Sequence, residues 1–242
     1  MPRIFQNVTL VPGASLALDA NASHHLSRVL RVKQGDKLVI FNGLGGEYAA
    51  TITQIDKKAV HVLISEFNPR EAESPLDLCL AQGISRGEKM DYTIQKAVEL
   101  GIKKIIPLFT ERCTVKLDQE RLNKRLEHWQ AIARNSAEQS GRNRMPDILT
   151  PTTLENALPL IQADWRFVLS PHVNQKLHTI QIDKQQSVLL LIGPEGGLSE
   201  PEIELTKAHH FLPLNLGPRI MRTETAAVAA ITALQCYFGD MS

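Results

Sequence analysis

Apolar and polar positions alternate with period two in three early runs, Lys37 to Asn42, Tyr48 to Ile55 and Val60 to Ile64. Between them lie a glycine-rich turn, Gly43 to Gly46, and a charged one, Asp56 to Lys58. Alternation of this kind places every second side chain on one buried face and predicts antiparallel strands. One helical period interrupts the pattern: Asn21 is in place to cap it, and Leu26, Val29 and Leu30 fall on a single apolar face. The first 72 residues therefore read as a small β-barrel with one helix.

The texture changes after the polar stretch Asn68 to Pro75, which has two prolines and three charges and reads as a linker. Beyond it, short unbroken apolar runs take turns with helical periods. Strands are expected at Leu76 to Ala81, Lys104 to Phe109, Phe167 to Leu169, Val188 to Ile192 and Phe211 to Leu216. Helices are expected from Glu88 to Leu100, from Asp118 to about Gln139, from Glu200, and from Glu224 to Tyr237. Strands buried on both faces lose their alternation, so residues 73–242 predict an α/β domain built on a mostly parallel sheet.

Composition narrows the class. Hydrophobic residues make up 43% of the 242 and charged residues 22%, which fits a folded globular protein. The strongest apolar stretch, Val188 to Ile192, is far below the roughly 20 residues that span a bilayer. The opening MPRIFQNVTL lacks the apolar core of a secretion signal, so a cytoplasmic protein without a membrane partner is expected. Cys79, Cys113 and Cys236 are too scattered for a disulfide framework or a CxxC metal site, and no metal is expected. The net charge of +1 conceals an asymmetry: Arg112 to Arg144 holds eight basic residues against four acids, while Met145 onward holds six against ten. A solvated helix face and a phosphate-binding surface both produce such a stretch.

Ligands of open α/β sheets bind beyond the carboxyl ends of the strands, which singles out three segments: Leu169 to His172, Leu190 to Glu202 and Leu216 to Ala226. The second delivers Gly193-Pro194-Glu195-Gly196-Gly197, where absent side chains let backbone approach a ligand. Ser199 and Glu202 follow with capping-box spacing, setting a helix start directly behind the loop. The spacing fits neither a dinucleotide fingerprint nor a P-loop. In the third segment Gly217-Pro218 ends a strand, Arg219 and Arg222 follow, and Thr223 is in place to cap an alanine-rich helix. Arginines between a ligand turn and a helix start suit RNA phosphate or a reacting base.

LIGPEGGLS and LGPRIMRTETA resemble the signature segments of the SPOUT methyltransferases. The resemblance extends to SRGEKMDYTIQKAVELG, PLFTERC and EQSGRNRMP, and to PRIF and HHLSRVLR near the start, and is specific to the uridine N3-methyltransferases of small-subunit ribosomal RNA. It implies a C-terminal SPOUT domain whose parallel sheet carries a trefoil knot, a PUA-like RNA-binding barrel over residues 1–72, a homodimer formed through the knot domain, and S-adenosyl-L-methionine as cofactor. The cofactor would then be held by Leu169, Ser170, Pro171, Leu191, Ile192, Gly193, Pro194, Glu195, Gly196, Gly197, Leu216, Gly217, Ile220, Met221, Arg222, Thr223 and Ala226. Arg222 and Glu224 are assigned to the target uracil, with Glu195 as a second candidate base. Arg3, Arg28, Arg31, Lys33, Arg86, Lys89, Arg112, Arg142, Arg144 and Arg219 are expected to face the RNA backbone, with a contribution that weakens in salt. Two other readings are compatible with the loops: a SPOUT enzyme modifying a ribose 2′-oxygen or another base, and a non-catalytic RNA-binding assembly factor.

Overall fold

The computed structural model describes residues 1–115, 118–170, 177–183 and 185–241. The chain forms two compact units, Met1–Glu73 with Ala137–Met145, and Ser74–Ser136 with Pro146–Ser242.

The first unit is a five-stranded sheet of β1 (Arg3–Phe5), β2 (Ser15–Ala17), β3 (Lys37–Phe41), β4 (Glu47–Ile55) and β5 (Val60–Asn68), in the order β1-β3-β4-β5-β2. Only β1 and β3 run parallel. The alternation read from the sequence is what packs it: Ala50 and Ile52 of β4 and Val60, Val62 and Ile64 of β5 point into one core with Ile4, Leu26, Leu38 and Ile40. The helix differs from expectation. Its cap is Asp19, not Asn21: a carboxylate oxygen accepts from the Ala22 amide at 2.8 Å while Gln6 Nε2 donates to the other at 2.8 Å. Helix α1 (Ala20–His24) then widens into a π-helical turn, His25–Leu30, closed by Arg31 at φ 52°. The extra residue per turn rotates later side chains off the buried face. Leu26 stays in the core, but Val29 and Leu30 are 60% and 45% exposed beside exposed Arg28, Arg31 and Lys33.

Residues 137–145 complete this unit with a polar cluster. The Arg142 guanidinium is only 3% exposed and binds both carboxylate oxygens of Glu73, at 3.0 and 2.6 Å. Asn143 Nδ2 donates to the Arg70 carbonyl at 2.6 Å, and Arg3 pairs with Glu47 at 2.5 Å. Burial tends to raise the Glu47 pKa, but Arg3, Arg70 and Asn143 outweigh it and hold the carboxyl below its ordinary range. Two expected RNA contacts are thereby corrected: Arg142 and Arg3 spend their guanidinium groups inside the fold. Arg144, paired with Glu71, remains 54% exposed.

The second unit is a seven-stranded sheet among the described residues. Its strands are β6 (Asp77–Gly83), β7 (Lys104–Phe109), β8 (Asp147–Ile148), β9 (Thr152–Thr153), β10 (Trp165–Leu169), β11 (Ser187–Ile192) and β12 (Leu212–Leu214). The order is β12-β10-β11-β6-β7-β8, with β9 also on β7, and every pairing is parallel. Leu189, Leu190, Leu191 and Ile192 are at most 3% exposed, as strands covered on both faces must be. Helices α2 (Glu88–Glu99), α3 (Gln119–Ser140), α4 (Leu154–Ala157), α5 (Glu200–Ala208) and α6 (Thr223–Phe238) complete the chain, the end of α3 being counted with the first unit. The alanines of α6 let it pack closely on α2, where buried Gln235 accepts from Ser74 Oγ at 2.6 Å and donates to the Leu100 carbonyl at 2.8 Å. Burial pushes the Cys79 thiol up to about 12, as suits an inert core cysteine. No described helix is long and apolar enough to cross a membrane.

One crossover positions the site. The chain runs from β10 to its neighbour β11, through α5, and returns to β12 on the opposite side of β10. Because all strands are parallel, the loops leaving β10, β11 and β12 gather at one edge.

Candidate active site

The loop after β11 folds tightly on itself. The Gly197 amide donates to the Pro194 carbonyl at 2.9 Å, and Gly197 adopts φ +68°, which a side chain would strain. The predicted capping box is present: the Glu202 amide donates to Ser199 Oγ at 3.4 Å and the Ser199 amide to Glu202 Oε2 at 2.8 Å. The other Glu202 oxygen accepts from the Glu111 amide at 2.8 Å, tying the loop to the end of β7.

Glu195, the carboxylate between those glycines, is already engaged. Lys89 Nζ lies 3.0 Å from its Oε1, and the Arg86 amide donates to the same oxygen at 3.1 Å. Partial burial tends to raise its pKa, but its own amide, Lys89 and the Arg86 amide together pull it below the ordinary carboxylate value. Arg112 Nη1 donates to the neighbouring Gly196 carbonyl at 3.1 Å. Two of the expected RNA cations, Lys89 and Arg112, therefore converge on this loop, while Arg86 reaches it only by its amide and turns its guanidinium to Thr114 Oγ1. A carboxylate so easily ionised is a poor proton acceptor near neutral pH. Glu195→Gln is expected to lower turnover at this site less than ten-fold and leave its pH profile in place, whereas removal of a general base costs about 10² to 10⁴. The depressed pKa also sets the linkage: the stability contributed by Glu195 is present above its unfolded value and is lost as pH falls through the folded one.

The third loop, 215–222, turns at Gly217, whose amide donates to Asn215 Oδ1 at 2.6 Å. Arg222, exposed and in extended conformation, occupies the cap position of α6. Thr223 was expected there. Instead it is the first helical residue, and its hydroxyl turns inward to donate to the Gly193 carbonyl at 2.7 Å. From the first loop, the Ser170 amide donates to the Leu214 carbonyl at 3.0 Å, while Pro171 lies outside the described residues.

Together the loops enclose a cavity of about 860 Å³. Of the residues expected to hold a cofactor, its wall includes Leu169, Ser170, Ile192 to Glu195, Gly197, Leu216, Gly217, Ile220 to Thr223 and Ala226. Leu191 lies beneath it in the sheet, Gly196 faces Arg112, and Glu224 stands off the wall with one buried oxygen that has no partner. Val168, Phe211, Pro213, Leu214 and Asn215 also line it and were not anticipated. The signal for four of them is the apolar run Phe211 to Leu216, only three residues of which form a strand, and Val168 lies on the neighbouring strand β10. The floor is apolar, and the rim carries Lys89, Arg112, Lys207, Arg219 and Arg222 against the single carboxylate of Glu195. A well of this size with a cationic mouth fits a flat heteroaromatic ligand below and a polyanion above. No cluster of metal-binding side chains occurs among the described residues.

Residues 72–235 match the RNA methyltransferase domain family, and residues 18–65 match the RNA methyltransferase PUA domain. A ribosomal RNA small subunit methyltransferase E of Buchnera aphidicola is 39% identical, covering all of this chain and 98% of that one; its counterpart from Bacillus subtilis is 31% identical over 97% and 96%. The structure superposes on a Neisseria gonorrhoeae ribosomal RNA small subunit methyltransferase E bound to S-adenosylmethionine, with 37% identity, full coverage of both chains and a TM-score of 0.93. A Legionella pneumophila protein described as a methyltransferase, in complex with the same cofactor, gives 42% identity, 98% coverage of each chain and a TM-score of 0.96. The SPOUT α/β domain and PUA-like first domain implied by the sequence are the fold of this molecule. The chain belongs to the RNA methyltransferase family that includes the ribosomal RNA small subunit methyltransferases E.

Proposed function

We propose that this protein transfers a methyl group from S-adenosyl-L-methionine to N3 of a uridine in small-subunit ribosomal RNA. The observation that carries the reading is the apolar well with a cationic rim, closed by three strand-end loops, in a chain whose relatives bind that cofactor. Ile192 to Glu195, Gly197, Leu216, Gly217 and Ile220 to Thr223, with Leu169, Ser170 and Ala226, would hold the cofactor, which supplies an electrophilic methyl group. What remains for the protein is positioning and charge.

Uracil N3 must shed its proton as it reacts, spreading negative charge onto the flanking carbonyl oxygens. The Arg222 guanidinium, exposed at the cap of α6, is available to meet those oxygens. Glu224, two residues on, has a buried oxygen lacking a donor, and we assign it to orient or accept the N3 proton. Arg28, Arg31, Lys33, Arg86, Lys89, Arg112, Arg144 and Arg219 serve the RNA backbone in this reading. A homodimer through the second domain, drawn from the family resemblance, and a cytoplasmic location, where ribosomal RNA is found, complete it.

The test is nucleoside mass spectrometry on small-subunit RNA from cells lacking the gene, incubated with the protein and methyl-labelled cofactor. Label in 3-methyluridine at a single position is expected. Label only in a 2′-O-methyl nucleoside or another base overturns the assignment of N3.

A further inference from the structure

Gln82, at the end of β6, is fully buried and pairs in register with Ile192, the residue before the glycine loop. Its Nε2 donates to the Gly83 carbonyl at 3.0 Å and to Thr223 Oγ at 2.9 Å. The Thr223 hydroxyl has one proton, and it goes to the Gly193 carbonyl at 2.7 Å, so this oxygen accepts from Gln82 and donates onward. The chain of bonds thus has a direction: β6 to the start of α6 to the end of β11. The amide is an expensive choice in an apolar sheet, because its Oε1 is buried with no donor. Its two donor contacts are what it contributes. A second observation marks the same point: a Cβ on Gly83 would lie 2.5 Å from the Pro194 nitrogen, so the backbone of β6 presses directly against the loop.

We propose that Gln82 is a positioning residue. Acting through Thr223, it latches the 193–197 turn to the first turn of α6, and thereby fixes the distance between the loop that seats the methyl donor and Arg222. The second half of this statement rests on the function proposed above. The first half does not.

Hydrogen exchange on the free protein and calorimetry with S-adenosylmethionine test both halves. Gln82→Met and Thr223→Val are each expected to speed amide exchange over residues 195–199 and to weaken cofactor binding by about ten-fold, the scale of one buried hydrogen bond. The double variant should be no worse than the worse single, since either change opens the same latch. Thr223→Ser, which keeps the hydroxyl, should recover most of the loss relative to Thr223→Val. Additive effects, or exchange at the wild-type rate in Thr223→Val, overturn the latch. If Gln82→Met does not fold, the Thr223 pair decides alone. Absence of cofactor binding by the wild-type protein defeats the proposed function, and exchange rates then judge the latch by themselves.

Discussion

Arg222→Ala is expected to reduce methyl transfer by about 10² to 10³, the usual cost of removing one group that stabilises charge developing in the transition state. Cofactor affinity should change far less, because the cavity floor is made by Val168, Ile192, Leu198, Leu214 and Ala226 and survives the substitution. Single-turnover transfer measured beside calorimetry separates the two quantities. Arg222→Lys keeps the charge but not the planar fork, so it should fall between alanine and wild type. Transfer at the wild-type rate in Arg222→Ala would remove this residue from the reaction and leave Lys89, Arg112 and Arg219 as the cations to examine at the same rim.

The largest stability effect is expected at Arg142, not in the active site. Its guanidinium is 3% exposed and Glu73 11%, so Arg142→Ala leaves an uncompensated buried carboxylate, at a cost of about 3–5 kcal/mol. Urea unfolding followed by a probe in the first unit measures it. Arg144→Ala provides the contrast: this residue pairs with Glu71 through a side chain 54% exposed, and surface pairs contribute about 0–1 kcal/mol. Equal losses in the two variants would mean that burial does not distinguish these arginines. Replacing Arg142 and Glu73 together by apolar residues of similar volume should restore much of the deficit, since no charge is then stranded.

The two arginines lie two positions apart in one basic stretch, and nothing in their local sequence separates them. Both pair with a glutamate far back in the chain, Arg142 with Glu73 and Arg144 with Glu71; what separates them is burial, 3% against 54% exposure of the side chain. Charge clustering therefore pointed to RNA for both. The same limit applies to caps. Ser199 was legible because its partner, Glu202, lies within the same helical turn. Asp19 caps α1 by an equally local bond from the Ala22 amide, and the sequence offers Asn21 beside it with no signal to choose between them; the partners that turn Thr223 inward, Gln82 and Gly193, are remote in sequence. Five of the seven described strands of the second sheet are plain from their unbroken apolar runs, whereas the two-residue strands β8 and β9 have none; the three loops follow from the rule that parallel strands deliver ligand loops at one edge. The π-helical turn had no signature, because a helical apolar period looks the same until the extra residue shifts it.

The first unit is discontinuous along the chain, and synthesis proceeds from the amino terminus. When residue 73 leaves the ribosome, all five strands have been made, yet Glu73 still lacks Arg142, Glu71 lacks Arg144, and the Phe5 amide lacks the Glu138 carboxylate that receives it at 2.8 Å. The barrel therefore waits, with an incomplete polar seam, for some seventy further residues to be translated. The apolar core lies within residues 4–64, so it is the seam alone whose completion must follow the emergence of residues 137–145 from the exit tunnel.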